Sequence, residues 1–581
     1  MERETTLHLR NGLLLAIVVT LLFNASNLVI LVRGPETALK MKTMAMDEQY
    51  YLALIREASE GHFKLGSPSL KEHRDDPSVV RYLPLLPGAL MRFTGISLSS
   101  TVFLSDLLFP FLTTLILFLA WRGLFASSLE AAAATMIPLG LIFRGGMFNV
   151  INPKMVLPFA ALHLALIFGV SKPHTVHLVL RGISLALLLY IYPHFFLYFT
   201  ALEACMFLTR QSSLRSFVKG IALMGIPFLL IASPLIYLNL TGKENPAAAD
   251  LWYRIVSPTS LPADPKMQLL LLTGIGALLF VRRREKMSSR VPPPGVIPSD
   301  FASSEVRGEI VSRERDLLLC LVSGLIVLNQ SLIHGQDLMA GLHYFYLLRM
   351  FLWITGFYIV FRLLDSAKLA KQSICLLIIL FCTLKIGQHV KLVHAERTRI
   401  ATEFQESDTS KVLDWLNTQE GEKVVLAPDA IANLIPIYTS HYTAMNGYAG
   451  FQSGSDAELA ERYILQDAIA PRAGHDASYP SIFSVHAGNR AARERTWCRI
   501  TSLFQKSAAD CAVPVRDFIR HYELLPMLDS SLAEHDPAQT LEFLRKYNVD
   551  VIVTEGELPG IAQSPCSQVQ TIGTFKVHIC S

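Results

Sequence analysis

The 581-residue chain is 51% hydrophobic and 17% charged, and its mean hydropathy is +0.38. This composition excludes an ordinary water-soluble protein of such length, and a net charge of +4 gives no reason to expect nucleic-acid binding. The apolar residues occur in long blocks. The first block, 12–32, is long enough to span a membrane and is followed by no small-residue cleavage site, which favours a membrane anchor over a cleaved signal peptide.

Further apolar blocks follow, and a helix needs about 20 such residues to cross the hydrocarbon core. With the first, they lie at 12–32, 99–121, 126–143, 153–170, 180–193, 195–209, 218–240, 267–281, 316–333, 350–364 and 374–393. The sequence therefore predicts an α-helical polytopic membrane bundle of about eleven spans. Several blocks are short or adjacent, notably the pair around Pro193, so this count carries a margin of one or two.

The basic residues of the short loops predict the orientation, because Lys and Arg concentrate on the cytoplasmic side. Alternate loops carry Arg3 and Arg10, then Arg122, then Lys172 and Arg181, then Arg210, Arg215 and Lys219, then Arg282, Arg283, Arg284 and Lys286, and finally Arg362, Lys368 and Lys371. A cytoplasmic N-terminus and an odd number of spans place residues 395–581 outside. We expect a multi-pass protein of the cell inner (plasma) membrane.

The predicted domains are a transmembrane domain, 1–394, and a soluble extracytoplasmic domain, 395–581. Two loops of the transmembrane domain are long. Residues 34–98 form the first extracytoplasmic loop, and residues 282–315, with a Pro-rich centre, are expected to be a flexible cytoplasmic linker.

The soluble domain alternates helical and strand patterns. An amphipathic helix opens at 412–416, a buried strand follows at 423–427 and a helix at 430–438. Near the end, 540–547 is helical and 549–553 is another buried strand. Helices that alternate with short apolar strands predict a small α/β domain with a mainly parallel sheet.

Four of the eight cysteines lie in this domain: Cys498, Cys511, Cys566 and Cys580. An even number outside the cell favours two disulfides, and we expect neighbours in sequence to pair, Cys498 with Cys511 and Cys566 with Cys580. Four reduced thiols are the alternative.

The first long loop contains the most informative helical pattern. Met44, Asp47, Tyr51, Ile55 and Ala58 have the 3–4 spacing of one helix face, which is apolar except for Asp47. A carboxylate on such a face is costly unless it is paired, bound to a metal or used in chemistry. The alternative is an acid that stabilises the first turn through the helix dipole.

Two further polar segments are candidates for a site. Glu72, with His73 beside it, lies later in the same loop, where a carboxylate can join Asp47 around a divalent cation, Mg or Mn, or simply be solvated. The second segment, 341–349, ends in Arg349 and includes His343 and Tyr344. An Arg fork suits a lipid phosphate, whereas an aromatic belt with a snorkelling Arg is the alternative.

This layout resembles the GT-C class of membrane glycosyltransferases. The resemblance rests on a first span, a long outside loop with Asp47-Glu48 and a following Tyr, a Glu-containing segment at Glu72 and a soluble tail. It implies transfer of a sugar from a polyprenyl-phosphate carrier to a glycan, lipid or protein acceptor, in an inverting reaction with Asp47 as the base and Glu48 beside it. Arg349, His343 and Tyr344 are then candidates to bind the carrier phosphate.

The resemblance also implies a role for Glu72 and His73 with metal or acceptor. Members with such an acid have an aromatic residue before the Glu and Lys-Pro after it, whereas this chain has Leu70-Lys71-Glu72-His73. Two other function classes remain open. One is a transporter or flippase of a lipid-linked or small-molecule substrate, and the other is an assembly protein whose tail binds a partner.

Overall fold

The structure is a computed structural model, and it describes sixteen stretches of the chain. These are 2–31, 46–76, 82–125, 127–149, 153–169, 174–210, 213–241, 256–258, 265–288, 302–330, 336–338, 340–364, 368–447, 454–469, 537–555 and 566–580. Of the residues predicted to be functional, Cys498 and Cys511 lie outside these stretches, as does Met44 of the helix face in the first loop. Asp47 and His343 lie in described helices, but their side chains are outside the described set.

Helices dominate the fold. In chain order they are α1 (Glu2–Leu31), α2 (Met46–Glu60), α3 (Leu85–Thr94), α4 (Leu98–Leu124), α5 (Ser128–Ile137), α6 (Leu157–Phe168), α7 (Thr175–Ile191), α8 (Pro193–Arg210), α9 (Leu214–Thr241), α10 (Pro265–Ser288), α11 (Ala302–Leu328), α12 (Ala340–Leu363), α13 (Lys368–Glu406), α14 (Asp408–Leu416), α15 (Asp429–Ala432), α16 (Ile435–Tyr438), α17 (Asp456–Ile469) and α18 (Pro537–Lys546). The strands are β1 (Val256–Pro258), β2 (Gln336–Leu338), β3 (Val424–Leu426), β4 (Tyr442–Thr443), β5 (Val551–Glu555), β6 (Cys566–Ile572) and β7 (Phe575–Cys580).

Within the described residues, six helices are long and apolar enough to cross a membrane. They are Thr6–Ala25, Leu98–Leu124, Leu214–Tyr237, Pro265–Arg284, Tyr344–Leu363 and Leu369–Glu406. Three shorter apolar helices cover Ser128–Ile142, Leu157–Phe168 and Thr175–Ile191. The two remaining predicted blocks fall on α8 and α11. The chain is thus mostly helical with several candidate membrane helices, and a total of eleven spans stays a prediction.

The chain divides into two compact units. The first, which we call the membrane unit, comprises Met1–Val29, Leu104–Ile236 and Thr259–His394. The second, the C-terminal unit, comprises Ile30–Phe103, Tyr237–Pro258 and Ala395–Ser581. The predicted boundary at 394/395 therefore coincides with a unit boundary. The first long loop, which the sequence grouped with the transmembrane domain, belongs instead to the C-terminal unit.

Aromatic side chains fill the interior of the membrane unit. The ring of Tyr198 stacks on that of Phe351 with 5.6 Å between centroids, and its hydroxyl donates to the carbonyl oxygen of Cys320 at 2.9 Å. Trp121 packs edge-on against the same Phe351. Tyr198 lies on α8, Cys320 on α11, Phe351 on α12 and Trp121 on α4, so these contacts join four helices through one buried cluster.

The C-terminal unit contains a five-stranded sheet in the order β4-β3-β5-β7-β6. Strand β3 pairs in parallel with β4 and with β5, whereas β7 pairs antiparallel with β5 and with β6. The expected helices and strands at 412–416, 423–427, 430–438, 540–547 and 549–553 are all found within a few residues. The sheet is mixed where the sequence predicted a mainly parallel one, because the last two strands form a hairpin.

The hairpin turns at Gly573, whose φ of +59° is a conformation that glycine adopts without strain. Cys566 and Cys580 are joined by a disulfide across its open end, which is the expected pairing of sequence neighbours. They are also register partners in the sheet. The bond therefore fastens edge strand β6 to β7.

The predicted flexible linker, 282–315, is shorter in the structure. Helix α10 continues to Ser288 and α11 begins at Ala302, so both ends of the linker are helical. Arg, Glu, Lys and Met at 282–287 are good helix formers, which explains why the helix extends through the basic run.

Candidate functional site in the first loop

Helix α2 carries the two acids predicted to be catalytic. It begins at Met46, so Asp47 and Glu48 lie in its first turn, where the helix dipole favours negative charge. The side chain of Glu48 is an interior group of the C-terminal unit, since only 3% of its surface is exposed. With the Asp47 side chain outside the described set, its role as a base stays a prediction.

The predicted buried face of α2 is buried as far as it is described. Tyr51, Ile55 and Ala58 are all under 4% exposed, but Leu52 and Leu54 on other faces are buried as well. Helix α3 packs closely on α2, because a Cβ added at Gly88 would collide with Ala58 and with the carbonyl oxygen of Ile55. Helix α2 is therefore a central element of the C-terminal unit and not a surface helix of a loop.

The C-terminal end of α2 holds an acidic cluster that the sequence analysis missed. One ligand atom each from Glu57, Glu60 and His62 lies within 4.8 Å of the others. Burial, aided by the negative charge of Glu60, raises the pKa of Glu57 to about 8. The signal in the sequence is the spacing Glu57-Ala58-Ser59-Glu60-Gly61-His62, which places two acids one helical turn apart and a histidine directly after a helix-ending glycine.

The segment that follows, 67–76, is bound to the sheet of the same unit. The backbone N–H of Thr443 in β4 donates to the carbonyl oxygen of Ser69 at 2.8 Å, and the side-chain amide of Asn446 donates to the Ser69 hydroxyl at 2.6 Å. Nearby, Arg74 donates to a carboxylate oxygen of Glu422 at 2.9 Å. The first loop thus lies along strand β4, at the edge of the sheet, and is bound there by both backbone and side-chain hydrogen bonds.

Glu72 and His73, the expected metal or acceptor residues, are bound to helix α17. Arg462, whose side chain is fully buried, donates to Oε2 of Glu72 at 3.0 Å and to Oε1 of Glu458 at 2.8 Å. Nε2 of His73 lies 2.9 Å from Oε2 of Glu458, and Nδ1 lies 2.8 Å from Oδ2 of Asp76. These contacts dock the loop on α17. The predicted role of Glu72 and His73 at a Mg or Mn site stays a prediction.

The docking network determines the charge of His73. Hydrogen bonds to Asp76 and then Glu458 raise the pKa of His73 to about 9 and outweigh the opposing effect of burial. The imidazole is therefore protonated at neutral pH and forms an ion pair on each side. Arg462 gains a further contact, because its guanidinium lies 3.9 Å from the ring centroid of Tyr547.

The residues expected to bind a carrier phosphate lie on α12 of the membrane unit, where Tyr344 and Arg349 differ in exposure. Arg349 is exposed, with its guanidinium 5.7 Å from the ring centroid of Phe345. Tyr344 is buried, accepts a hydrogen bond from Gln330 at 3.1 Å and contacts the His194 ring edge-on. Tyr344 thus has neighbours within the membrane unit, whereas Arg349 is exposed, and binding of a carrier phosphate by either residue stays a prediction.

Two buried acids on helices of the membrane unit, Asp106 on α4 and Glu203 on α8, are both paired. Lys154 donates to Asp106, and Arg181 donates to both carboxylate oxygens of Glu203. Nε2 of His163 lies 3.1 Å from Oε1 of the same Glu203. All five side chains are buried. Each of the two acids therefore has a basic partner inside the membrane unit, as is usual for charged groups away from water.

Compared with known proteins, the sequence matches no protein-family model and no curated protein.

Proposed function

We propose that the protein is an integral membrane glycosyltransferase of the GT-C type that uses a polyprenyl-phosphate-linked sugar as donor. The observation that carries the proposal is the folded first loop. Helix α2, with Asp47 and Glu48 in its first turn, belongs to the same unit as the C-terminal sheet and is fixed there by buried contacts on several faces. A side chain that performs acid–base chemistry requires such a rigid support.

The proposal includes the finer features predicted from the sequence. The chain crosses the inner (plasma) membrane about eleven times, with its N-terminus in the cytoplasm, and the C-terminal unit lies outside. The six long apolar helices support a membrane location, where a polyprenyl carrier resides. The exposed Arg349 on α12 is the proposed contact for the carrier phosphate, since a guanidinium donates two parallel hydrogen bonds to phosphate oxygens.

The proposed reaction is a single displacement at the anomeric carbon of the sugar. The acceptor nucleophile forms a bond to this carbon and gives its proton to the carboxylate of Asp47, which acts as a general base. The bond between the carbon and the phosphate oxygen breaks, and polyprenyl phosphate leaves with the electron pair. Attack opposite to the leaving group inverts the anomeric configuration.

The test is transfer of labelled sugar from polyprenyl phosphate in membranes that contain the wild-type protein or Asp47→Asn. We expect Asp47→Asn to retain expression and thermal stability and to lose about 10²–10⁴-fold in transfer rate, as for removal of a general base. Asp414→Asn, at an exposed position of α14, is the matched control and should retain full activity. Full activity of Asp47→Asn would refute the assignment of the base.

The same assay separates this proposal from a transporter or flippase. Liposomes that contain the protein and the labelled donor, but no acceptor, should show no net movement of the sugar-lipid across the bilayer. Rapid movement that is equal in wild type and Asp47→Asn would favour the transporter.

A further inference from the structure

Three potential metal ligands lie together where helix α2 ends. Glu57 and Glu60 are one turn apart on the helix, and a turn at Gly61, whose φ is +108°, reverses the chain. In this turn the N–H of His62 donates to the carbonyl oxygen of Glu57 at 3.0 Å, and that of Gly61 donates to Ala58 at 3.2 Å. The turn therefore returns His62 to the helix end, where its ring lies within 4.8 Å of both carboxylates.

The strongest indication of a ligand is the state of Glu57. The residue is 5% exposed, and its Oε2 has no hydrogen-bond partner within the described part of the chain. The hydroxyl of Tyr442 is the neighbouring polar side chain, and it lowers the pKa of Glu57 by less than burial raises it. A buried carboxylate oxygen without a partner is costly, and native proteins rarely retain one without a use. A bound cation would satisfy that oxygen.

The other two ligands are held in place by neighbouring groups. Arg56 donates through Nε and Nη2 to Oε1 of Glu60, each at 2.8 Å, and through Nη1 to the carbonyl oxygen of Pro436 at 3.1 Å. These bonds fix the carboxylate of Glu60 and use only one of its oxygens. Arg56 is thus an orienting group for Glu60.

Asp75 orients His62, as Arg56 orients Glu60. Its Oδ1 lies 3.4 Å from Nδ1 of His62. A carboxylate at one ring nitrogen selects the tautomer that has a free lone pair on the other, and this arrangement commonly supports histidine ligands of metals. With Nδ1 facing Asp75, Nε2 is the nitrogen with a lone pair to donate.

We propose that Glu57, Glu60 and His62 bind a divalent cation that fastens the end of helix α2 to the loop that follows it. Two carboxylate oxygens and one imidazole nitrogen suit Mn²⁺ or Zn²⁺, with water completing the coordination. The carbonyl oxygens at the helix C-terminus add a negative potential that favours a cation. The site is ten residues from Asp47, roughly 15 Å along the helix, so the cation is structural and distinct from the predicted base.

The test is cation binding by the full-length protein in detergent, after bound metal has been removed with EDTA. Binding of Mn²⁺ is followed by electron paramagnetic resonance. Binding of Zn²⁺ is measured separately by competition with a chromophoric chelator. Wild type should bind one cation per chain saturably. Glu57→Gln and His62→Ala should each weaken binding at least about tenfold, as loss of one ligand does. Glu420→Gln, an exposed acid of the same unit, is the matched control and should bind as wild type does.

Thermal unfolding gives an independent readout. Saturating cation should raise the unfolding midpoint of wild type and of Glu420→Gln, but not that of Glu57→Gln or His62→Ala. The proposal is overturned if wild type binds neither Mn²⁺ nor Zn²⁺ saturably, or if Glu57→Gln and His62→Ala bind as tightly as wild type. Because the readout is binding, failure of the proposed sugar transfer would leave this result unaffected.

Discussion

Two buried acids of the membrane unit, Asp106 and Glu203, and one of the C-terminal unit, Glu57, differ in how their charge is neutralised. In the membrane unit, Asp106 and Glu203 each accept hydrogen bonds from a buried basic side chain, Lys154 and Arg181 respectively. In the C-terminal unit, Arg462 and His73 pair with acids in the same direct manner, whereas Oε2 of the buried Glu57 has no partner among the described residues.

The difference follows from what can reach each unit. A carboxylate inside a helical membrane bundle has no access to ions, so a basic side chain must accompany it in the fold. A carboxylate at a helix end near water can recruit a cation from solution, at the cost of losing it when chelators are present. Asp106 and Glu203 thus form structural pairs, whereas Glu57 belongs to the proposed cation site.

The largest effect is expected from breaking a pair in the membrane unit. Glu203→Gln leaves the guanidinium of Arg181 buried without its counter-charge, which should lower the free energy of unfolding by about 3–5 kcal/mol. The measurement is the thermal unfolding midpoint in detergent. Glu403→Gln, in an exposed pair with Arg399, is the control and should leave the midpoint unchanged. Equal loss in both variants would contradict the role of burial.

A slightly smaller effect is expected for the docking of the first loop. Arg462→Met removes the hydrogen bonds to Glu72, Glu458 and the carbonyl oxygen of Ala444. Because the two acids lose their buried partner, the free energy of unfolding should fall by about 3 kcal/mol. The variant should also become sensitive to proteolysis between 60 and 76. Arg462→Lys should restore only part of the stability, since an ammonium cannot reproduce the guanidinium fork. Full rescue by Lys would show that charge alone matters.

The smallest effect is a dependence of stability on pH through His73. Its pKa in the folded state, about 9, exceeds the ordinary value of 6.5. The stabilisation is therefore fully present below pH 6.5 and is lost as the pH rises through 9. After allowance for solvent screening, we expect protonated His73 to contribute about 1–2 kcal/mol to the free energy of unfolding. His73→Gln should flatten the change in unfolding midpoint between pH 6.5 and 9.5, and an unchanged slope would contradict the assignment.

Much of the fold follows from local patterns in the sequence. Long apolar blocks predicted helices, six of which, among the described residues, are long and apolar enough to cross a membrane. Short β-branched runs such as 549–553 predicted strands from neighbouring residues alone. The helix face with Tyr51, Ile55 and Ala58 was also predictable from its 3–4 spacing. These features depend on residues close together in the chain.

The contacts between distant segments were not predictable in the same way. His73 and Glu458 are 385 positions apart, and nothing near either residue identifies the other as its partner. Arg462 follows Glu461 in a charged stretch that resembles a solvent-exposed helix, yet it is fully buried. Its burial depends on Glu72, Glu458 and Tyr547 together. The partners of Glu72 and His73 were therefore not predicted, and their role with metal or acceptor stays a prediction.

Binding of polyprenyl phosphate to the purified protein tests the central claim, a lipid-linked sugar donor, most directly. We expect saturable binding by wild type, loss of binding in Arg349→Ala and unchanged binding in Asp47→Asn, because the base acts on the acceptor and not on the carrier. Absence of saturable binding by wild type, or equal binding by Arg349→Ala, would contradict it.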